Sequence, residues 1–249
     1  MSPPVRIHPD LKSLSRAAAE HLVALATEAV SERDRFSVAL SGGATPRETY
    51  ALLASPAFAL LVPWTQVHIF WGDERCVPPD HPDSNYRMAW ETLLRHVPIP
   101  ADHIHRMRGE MDPREAARDY EKRLRALFAL SPEEPGLPRF DLVLLGMGRD
   151  GHTASLFPNS QALRESKRWV VAQEVEPQAA WRLTLTPIAI NAARLVTFLV
   201  SGRDKSEMLQ RVLEGASRPE ELPAQSIRPA DSKLAWMVDR AAASALERA

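Results

Sequence analysis

A histidine and an aspartate lie two residues apart in a glycine-rich turn near the middle of the chain. Residues 140–158 read FDLVLLGMGRDGHTASLFP, in which an apolar run stops at Gly146 and is followed by Asp150 and His152. Glycine lets the backbone turn sharply and approach a ligand closely. Open α/β sheets bind ligands beyond the carboxyl ends of their strands, where an acid and an imidazole suit acid–base chemistry. The alternative is a tight turn whose histidine is hydrogen-bonded within its own loop.

The same turn does not favour a dinucleotide cofactor. GMGRDG fits the bare G-x-G-x-x-G pattern, but Asp150 stands inside it and it lies in the middle of the chain. No acidic residue is placed about 20 residues further on, at the end of a second strand, to bind a ribose. We therefore do not expect NAD.

A second glycine turn, SGGATP at residues 41–46, follows an apolar run. Pro46 suits the first turn of a helix, so free backbone N–H groups and the helix dipole would converge on this turn and favour an anion. The lysine of a nucleotide P-loop is missing from the expected place. A sugar phosphate therefore fits better than a nucleoside triphosphate. The alternative is an ordinary strand-to-helix turn capped by Thr45.

Three charged residues, Asp73, Glu74 and Arg75, follow a further apolar run that ends at Trp71. Charges at the end of a buried strand are costly unless they are paired or used. In extended backbone Asp73 and Arg75 point the same way, so both could contact one ligand. The alternative is a surface turn with a local ion pair. We reject a metal site built from Asp73, His81 and Asp83, because no established ligand spacing supports it.

The apolar periodicity predicts alternating strands and helices, hence a mostly parallel sheet between helices. Strands are predicted at 36–40, 66–71, 103–107, 140–145, 169–175, 181–186, 195–200 and 233–238. Helices are predicted at 10–33, 46–53, 85–96, 112–130, 187–191 and 241–248, with another helix starting after the turn SGRDK at 201–205. Asp10, Ser84 and Asp112 are suitable residues for the starts of three of them.

The composition predicts one α/β domain over residues 1–249, with a small subdomain. The chain carries 31 basic and 32 acidic side chains, so nothing favours nucleic acid or an anionic membrane as a partner. Its one cysteine, Cys76, excludes an internal disulfide and fits a reducing cytoplasm. Residues 1–16 contain no apolar stretch typical of a secretory signal, and no run approaches the length of a membrane span.

Together these stretches resemble the 6-phosphogluconolactonases, a family within the group that includes the glucosamine-6-phosphate isomerases and deaminases. The matching pieces, in the family's order, are LSGGATPRETY at 40–50, FWGDERCVPPDHPDSNYRM at 70–88, FDLVLLGMGRDGHTASLFP at 140–158, RLTLTP at 182–187 and SGRDK at 201–205. The resemblance implies a Rossmann-like three-layer α/β/α fold like that of glucosamine-6-phosphate isomerase, no metal or organic cofactor, and a monomer. It also implies hydrolysis of a phosphosugar lactone, 6-phospho-D-glucono-1,5-lactone, to 6-phosphogluconate.

For that reaction we expect His152 to act as the general base, because an imidazole is largely neutral near pH 7. Asp150 or Asp73 would orient it, and Asp73 is preferred because Asp150 could instead brace the turn. Arg75 would polarise the lactone carbonyl or lie beside the phosphate, and the sequence does not choose. The phosphate is expected to bind the N–H groups of Gly42 and Gly43, the Thr45 hydroxyl, Arg182 and Lys205. By resemblance, the last two align with phosphate-binding positions of the deaminases.

Two other functions are considered. A sugar-phosphate isomerase or deaminase is disfavoured, because the deaminase relatives carry a glutamate five residues after this histidine where the present chain has Phe157. They also have an MDEY-like stretch in place of GDER. A sugar-phosphate-sensing regulator would need a DNA-binding module, and residues 1–35 hold one predicted helix and no basic cluster. The sequence therefore favours the lactonase.

Overall fold

The computed structural model describes residues 3–128, 136–175, 180–229 and 233–247. Its strands are β1 (Val5–His8), β2 (Phe36–Leu40), β3 (Val67–Trp71), β4 (Asp73–Arg75), β5 (Leu142–Leu145), β6 (Val170–Val175), β7 (Ala180–Leu185), β8 (Val196–Val200) and β9 (Leu234–Asp239). Its α-helices are α1 (Leu11–Arg33), α2 (Ala44–Leu53), α3 (Pro56–Ala59), α4 (Asn85–Thr92), α5 (Pro113–Leu127), α6 (Pro187–Asn191) and α7 (Ser206–Leu213).

Six strands form the main sheet, in the order β1-β9-β8-β5-β2-β3, and every neighbouring pair is parallel. Alternate side chains of β5 enter two different cores. Leu142 and Leu144 pack in a core with residues of α1, α2 and α4, whereas Val143 and Leu145 pack in a core with residues of α5, α6 and α7. The sheet is therefore covered by helices on both faces, and the predicted three-layer fold is confirmed.

A smaller antiparallel sheet, β4-β7-β6, continues from the edge of the main sheet through Gly72. The Gly72 N–H donates to the Leu40 carbonyl at 2.9 Å, and the Leu185 N–H donates to the Gly72 carbonyl at 2.8 Å. Gly72 therefore links the two sheets. The chain leaves the main sheet at this residue and places Asp73 at the start of the smaller one.

Several predicted elements differ from the structure. Residues 103–107 form no strand, because a turn of 3₁₀ helix ends at His103 and Ile104 makes a single bridge to Ile69. The helix predicted at 241–248 is wrong within the described residues, where a 3₁₀ turn covers Ala242–Ala245. Most of that segment is alanine, so a helix there would bury too little apolar surface to be stable. The last residues of the predicted helices at 112–130 and 241–248 lie outside the described residues.

Two strands, β1 and β4, were not predicted. β1 lies at the edge of the main sheet with three of its four residues exposed, and its two apolar residues, Val5 and Ile7, give only a short pattern. β4 consists of Asp73, Glu74 and Arg75. Within the residues that the structure describes, no helix is long and apolar enough to cross a membrane.

Three histidines stack beside the outer edge of the main sheet, and we expect them to make the protein less stable in acid. The rings of His68 and His103 lie 3.9 Å apart, and Nδ1 of His68 lies 3.2 Å from Nε2 of His105. Burial, followed by the charges of neighbouring histidines, lowers the pKa of His68 and of His105 to about 4. The unfolded chain therefore binds more protons than the folded chain between pH 6.5 and 4, and stability falls as the pH falls through that window.

We expect the free energy of unfolding to drop by about 1–2 kcal/mol between pH 7 and pH 5, after discounting the full linkage because neither ring is completely buried. Urea unfolding at the two pH values measures this drop. The double variant His68→Gln/His105→Gln should lose most of it, whereas a variant of the exposed His96, His96→Gln, should retain it. An equal drop in all three proteins would assign the acid sensitivity to other groups.

Candidate active site

Loops at the carboxyl ends of adjacent strands line one cleft of about 380 Å³. It lies where β2 and β5 are neighbours and their connections run to opposite sides of the sheet, which leaves a crevice between the loops. The lining residues come from the ends of β2, β3, β5 and β8 and from the smaller sheet: Ser41, Gly42, Gly43, Asp73, Arg75, Asn85, Gly146, Met147, Gly148, His152, Ala154, Ser155, Phe157, Val175, Arg182 and Lys205.

The structure brings seven of the nine predicted site residues to the wall of this cleft: Gly42, Gly43, Asp73, Arg75, His152, Arg182 and Lys205. The other two do not line it. Thr45 lies in the first turn of α2 and is half-buried. Asp150 is exposed and reaches the site through its contact with His152.

Asp150, and not Asp73, contacts the His152 ring. Its Oδ1 lies 2.5 Å from Nδ1 of His152 and accepts the backbone N–H of His152 at 3.2 Å. Burial acts to raise the pKa of Asp150, but the hydrogen bonds and charge of His152 outweigh it and hold the pKa below its ordinary value. An ionised Asp150 accepts a hydrogen bond from Nδ1–H of the neutral ring. The other nitrogen, Nε2, then carries the lone pair. Among the described residues Nε2 has no hydrogen-bond partner, and it is free to act on a ligand.

Two further contacts fix the His152 ring in place. The ring of Phe157 lies 4.6 Å from it, tilted by 36°. The backbone of Gly148 also lies close to the ring, and a Cβ there would overlap Nδ1 and Cε1 of His152 and approach Oδ1 of Asp150 to 2.5 Å. The Gly148 N–H also donates to the His152 carbonyl at 2.8 Å. Glycine is therefore needed here for close approach.

The Asp73 carboxylate is held on the cleft wall by two side chains that sequence reasoning did not assign to the site. Ser155 donates its hydroxyl to Oδ2 at 2.7 Å, and Asn85 donates its amide to Oδ1 at 3.3 Å and to the Asp73 carbonyl at 3.0 Å. Gln173 in turn donates its amide to the Ser155 carbonyl. Asn85 and Ser155 stand inside recognisable motifs, but no spacing rule links either of them to Asp73.

Three cations give the cleft an excess of positive charge over Asp73. Arg75 and Arg182 are paired across β4 and β7, and the Arg75 guanidinium also donates to the Asp83 carbonyl. Burial, then the positive charge of Arg75, lowers the pKa of Arg182. Burial likewise lowers the pKa of Lys205, whose Nζ lies 3.9 Å from Asp204. An anionic ligand would offset the repulsion between Arg75 and Arg182 and would favour the charged forms of Arg182 and Lys205.

The glycine turn after β2 adds a helix N-terminus to the cleft. Gly43 precedes α2 with φ of 105°, a conformation that favours glycine, and no side chain caps the helix. The first N–H groups of α2 therefore lack partners within the helix and carry its positive dipole end. Gly42 packs so closely on Asn85 that a Cβ would overlap the amide group. This arrangement suits an anion, as the sequence predicted.

The three residues considered for a metal site differ in their surroundings. His81 and Asp83 are exposed and lie 3.8 Å apart, whereas Asp73 is bound by Ser155. The described residues contain no group of three or more His, Cys, Asp or Glu side chains that could hold a metal ion. Cys76 packs against the core, and burial raises its pKa to about 11, so its thiol is protonated at neutral pH.

Comparison with known proteins finds relatives that match most of the chain. A 6-phosphogluconolactonase of Synechocystis sp. is 43% identical over 217 residues, 87% of each chain. One of Nostoc sp. is 38% identical over 247 residues, 99% of each chain. The solved structure of 6-phosphogluconolactonase from Trypanosoma cruzi superposes with a TM-score of 0.87 at 32% identity, covering 99% of this chain and 98% of that one. The family model of glucosamine-6-phosphate isomerases and 6-phosphogluconolactonases matches residues 9–236, and the chain belongs to this family.

Proposed function

We propose that the protein hydrolyses 6-phospho-D-glucono-1,5-lactone to 6-phospho-D-gluconate in the oxidative pentose phosphate pathway. One observation carries the proposal: the His152–Asp150 pair, with Nε2 unpartnered among the described residues, faces a cleft lined by three cations. Relatives named for this activity, at 43% and 38% identity, support it. Phe157, packed on His152, stands where deaminase relatives carry a glutamate, which favours the lactonase over ring-opening chemistry.

In the proposed reaction His152 Nε2 takes a proton from water as the water oxygen bonds to the lactone carbonyl carbon. Asp150 stabilises the imidazolium that forms. The tetrahedral intermediate then expels the ring oxygen, which takes the proton from His152 as the carbon–oxygen bond breaks. The product is a carboxylic acid, which ionises in water, and a hydroxyl on the former ring carbon. Because a δ-lactone is an activated ester, this route needs neither a metal nor an organic cofactor.

The cations divide between the two ends of the substrate in this proposal. The N–H groups of Gly42 and Gly43, with Arg182 and Lys205, bind the phosphate. Arg75 has two open roles, polarising the lactone carbonyl or neighbouring the phosphate, because it lies beside Arg182. Thr45 is left out of the phosphate site, since it does not line the cleft.

Asp73 faces the reacting end in this proposal, with both carboxylate oxygens already accepting hydrogen bonds from Asn85 and Ser155. It does not orient His152, a role that the structure favours for Asp150. Its carboxylate is instead available to position the attacking water or a sugar hydroxyl. The monomeric state and cytoplasmic location stay predictions.

Replacing Lys205 by methionine should raise KM by about 10–100-fold and change kcat little, because a charge-assisted hydrogen bond contributes about 1.5–3 kcal/mol and the phosphate is remote from the reacting carbon. Steady-state kinetics on the lactone measure both constants. Lys167→Met removes an exposed lysine outside the cleft and should leave KM unchanged. An unaltered KM in the Lys205 variant would remove this residue from the phosphate site.

Hydrolysis of the lactone by the purified protein tests the proposed function. The lactone decays spontaneously, so it is made in situ by enzymatic oxidation of glucose 6-phosphate with NADP⁺ as the oxidant. Once that oxidation is complete the protein is added, and acid release is followed against a reaction without the protein. Ammonia release from glucosamine 6-phosphate is measured in parallel. Acceleration of lactone hydrolysis alone supports the proposal, whereas ammonia release without lactone hydrolysis would replace it with the deaminase reaction.

A further inference from the structure

A buried carboxylate next to the cleft has no part in the proposed mechanism. Glu74 is only 2% exposed and does not line the cleft. It lies between Asp73 and Arg75 in β4, so its side chain points to the opposite side of the strand from theirs. Burying a carboxylate costs free energy even when it is well paired, and its presence at this position calls for a physical reason.

Both oxygens of Glu74 accept hydrogen bonds from backbone N–H groups. Oε1 accepts from Arg75 at 2.8 Å and from Asn85 at 2.7 Å. Oε2 accepts from the Tyr86 N–H at 2.8 Å and from the Ser84 hydroxyl at 3.1 Å. Three of these four donors belong to residues 84–86, where α4 begins. The carboxylate therefore binds the start of α4 to β4.

The segment at the start of α4, residues 83–86, contacts the cleft at three points. The Asn85 amide donates to Asp73. The same amide packs against Gly42 so closely that no Cβ fits between them. The Asp83 carbonyl accepts from the Arg75 guanidinium. One short segment thus fixes the positions of a carboxylate, a cation and part of the predicted phosphate turn.

We propose that Glu74 is a positioning residue, which docks segment 83–86 onto β4 and so holds Asp73, Arg75 and the Gly42 turn in their reactive arrangement. The kinetic part of this inference rests on the proposed function, whereas the docking itself does not. The chemistry specifies a carboxylate, because each oxygen must accept a backbone N–H. A glutamine offers one acceptor oxygen and turns an NH₂ group toward the second set of donors.

Glu74→Gln, compared with Asp141→Asn, tests the proposal. Asp141 is also a buried carboxylate, and it accepts the N–H and hydroxyl of Ser37 at 2.8 and 2.7 Å, but it precedes β5 at the end of the sheet remote from the cleft. Both variants should have a lower Tm. Only Glu74→Gln should lower kcat/KM, by about 10–100-fold and mainly through kcat, because displacing reacting groups by about 1 Å can cost that much.

The kinetics are measured well below both Tm values, with the folded fraction checked by circular dichroism. Equal changes of kcat/KM in the two variants would overturn the positioning role. Ser84→Ala, which removes one donor to Glu74 together with the hydroxyl that caps α4, gives a second variant if Glu74→Gln does not fold. It should show a smaller loss of the same kind, and wild-type kcat/KM would contradict the proposal.

Amide hydrogen exchange provides a readout that needs no substrate. Exchange at Asn85 and Tyr86 should speed up about tenfold or more in Glu74→Gln and stay unchanged in Asp141→Asn, because only the first variant releases their N–H groups. If the wild-type protein fails to hydrolyse the lactone, the proposed function falls, yet the exchange experiment still decides whether Glu74 docks the segment. Unchanged exchange at both amides in Glu74→Gln would overturn the inference.

Discussion

Replacing His152 by alanine is expected to lower kcat by about 10²–10⁴-fold, the usual contribution of a general base, and to change KM little. The large effect follows because Nε2 of His152 is the ring nitrogen left available by Asp150, which accepts at Nδ1. Substrate affinity is retained because the phosphate contacts proposed for Lys205 and Arg182 are untouched. Initial rates of acid release from the lactone, corrected for spontaneous hydrolysis, measure both constants.

Two further variants make this result specific. His96→Ala removes an exposed histidine outside the cleft and should behave like wild type. Asp150→Asn should lower kcat less than His152→Ala. The amide oxygen of asparagine can still accept a hydrogen bond from Nδ1–H, but it carries no charge to stabilise the imidazolium. A kcat near that of wild type in His152→Ala would contradict the assignment of the base and would make Asp73 the next candidate.

The turns that carry the site could be predicted because each follows a buried parallel strand. Such strands are covered on both faces and appear in the sequence as short continuous apolar runs, and the glycines after them mark where the runs stop. The strand at 36–40 has its predicted bounds, and those ending at Trp71, Leu145 and Val200 are correct to within a few residues. Parallel strands end at the same edge of a sheet. Because β3, β2, β5 and β8 are neighbours, the loops that follow them lie close together.

The remaining features depend on tertiary contacts that no local pattern encodes. β4 is a strand only because Asp73, Glu74 and Arg75 pair with β7, which lies about a hundred residues later in the sequence. The preference for Asp73 as the partner of His152 failed for a related reason. A carboxylate two residues away reaches the ring within one turn, whereas Asp73 is held by Asn85 and by Ser155, and these contacts exist only in the folded chain.

Gly148→Ala is expected to lower kcat by about 10²-fold without removing any functional group, because it displaces the base by a large fraction of an ångström or more. The new Cβ would overlap Nδ1 and Cε1 of His152 and crowd the Asp150 oxygen at 2.5 Å. Gly148 is not among the described glycines with positive φ, so its backbone does not adopt the left-handed conformation that favours glycine. The expected loss therefore arises from the side-chain contact and not from backbone strain. Lactone kinetics measure it, with Tm recorded to show that the variant is folded.

Gly72→Ala is the matched control, since Gly72 also follows a strand of the main sheet and also has no positive φ. A Cβ there would meet the Leu40 carbonyl oxygen at 3.6 Å and a methyl carbon of Leu145 at 3.9 Å, which are ordinary contacts. Its kcat should stay close to that of wild type. If the two variants have the same kcat, the His152 ring is not held against the Gly148 backbone during the reaction. If only Gly148→Ala is impaired, the reaction depends on where the imidazole stands as well as on its presence.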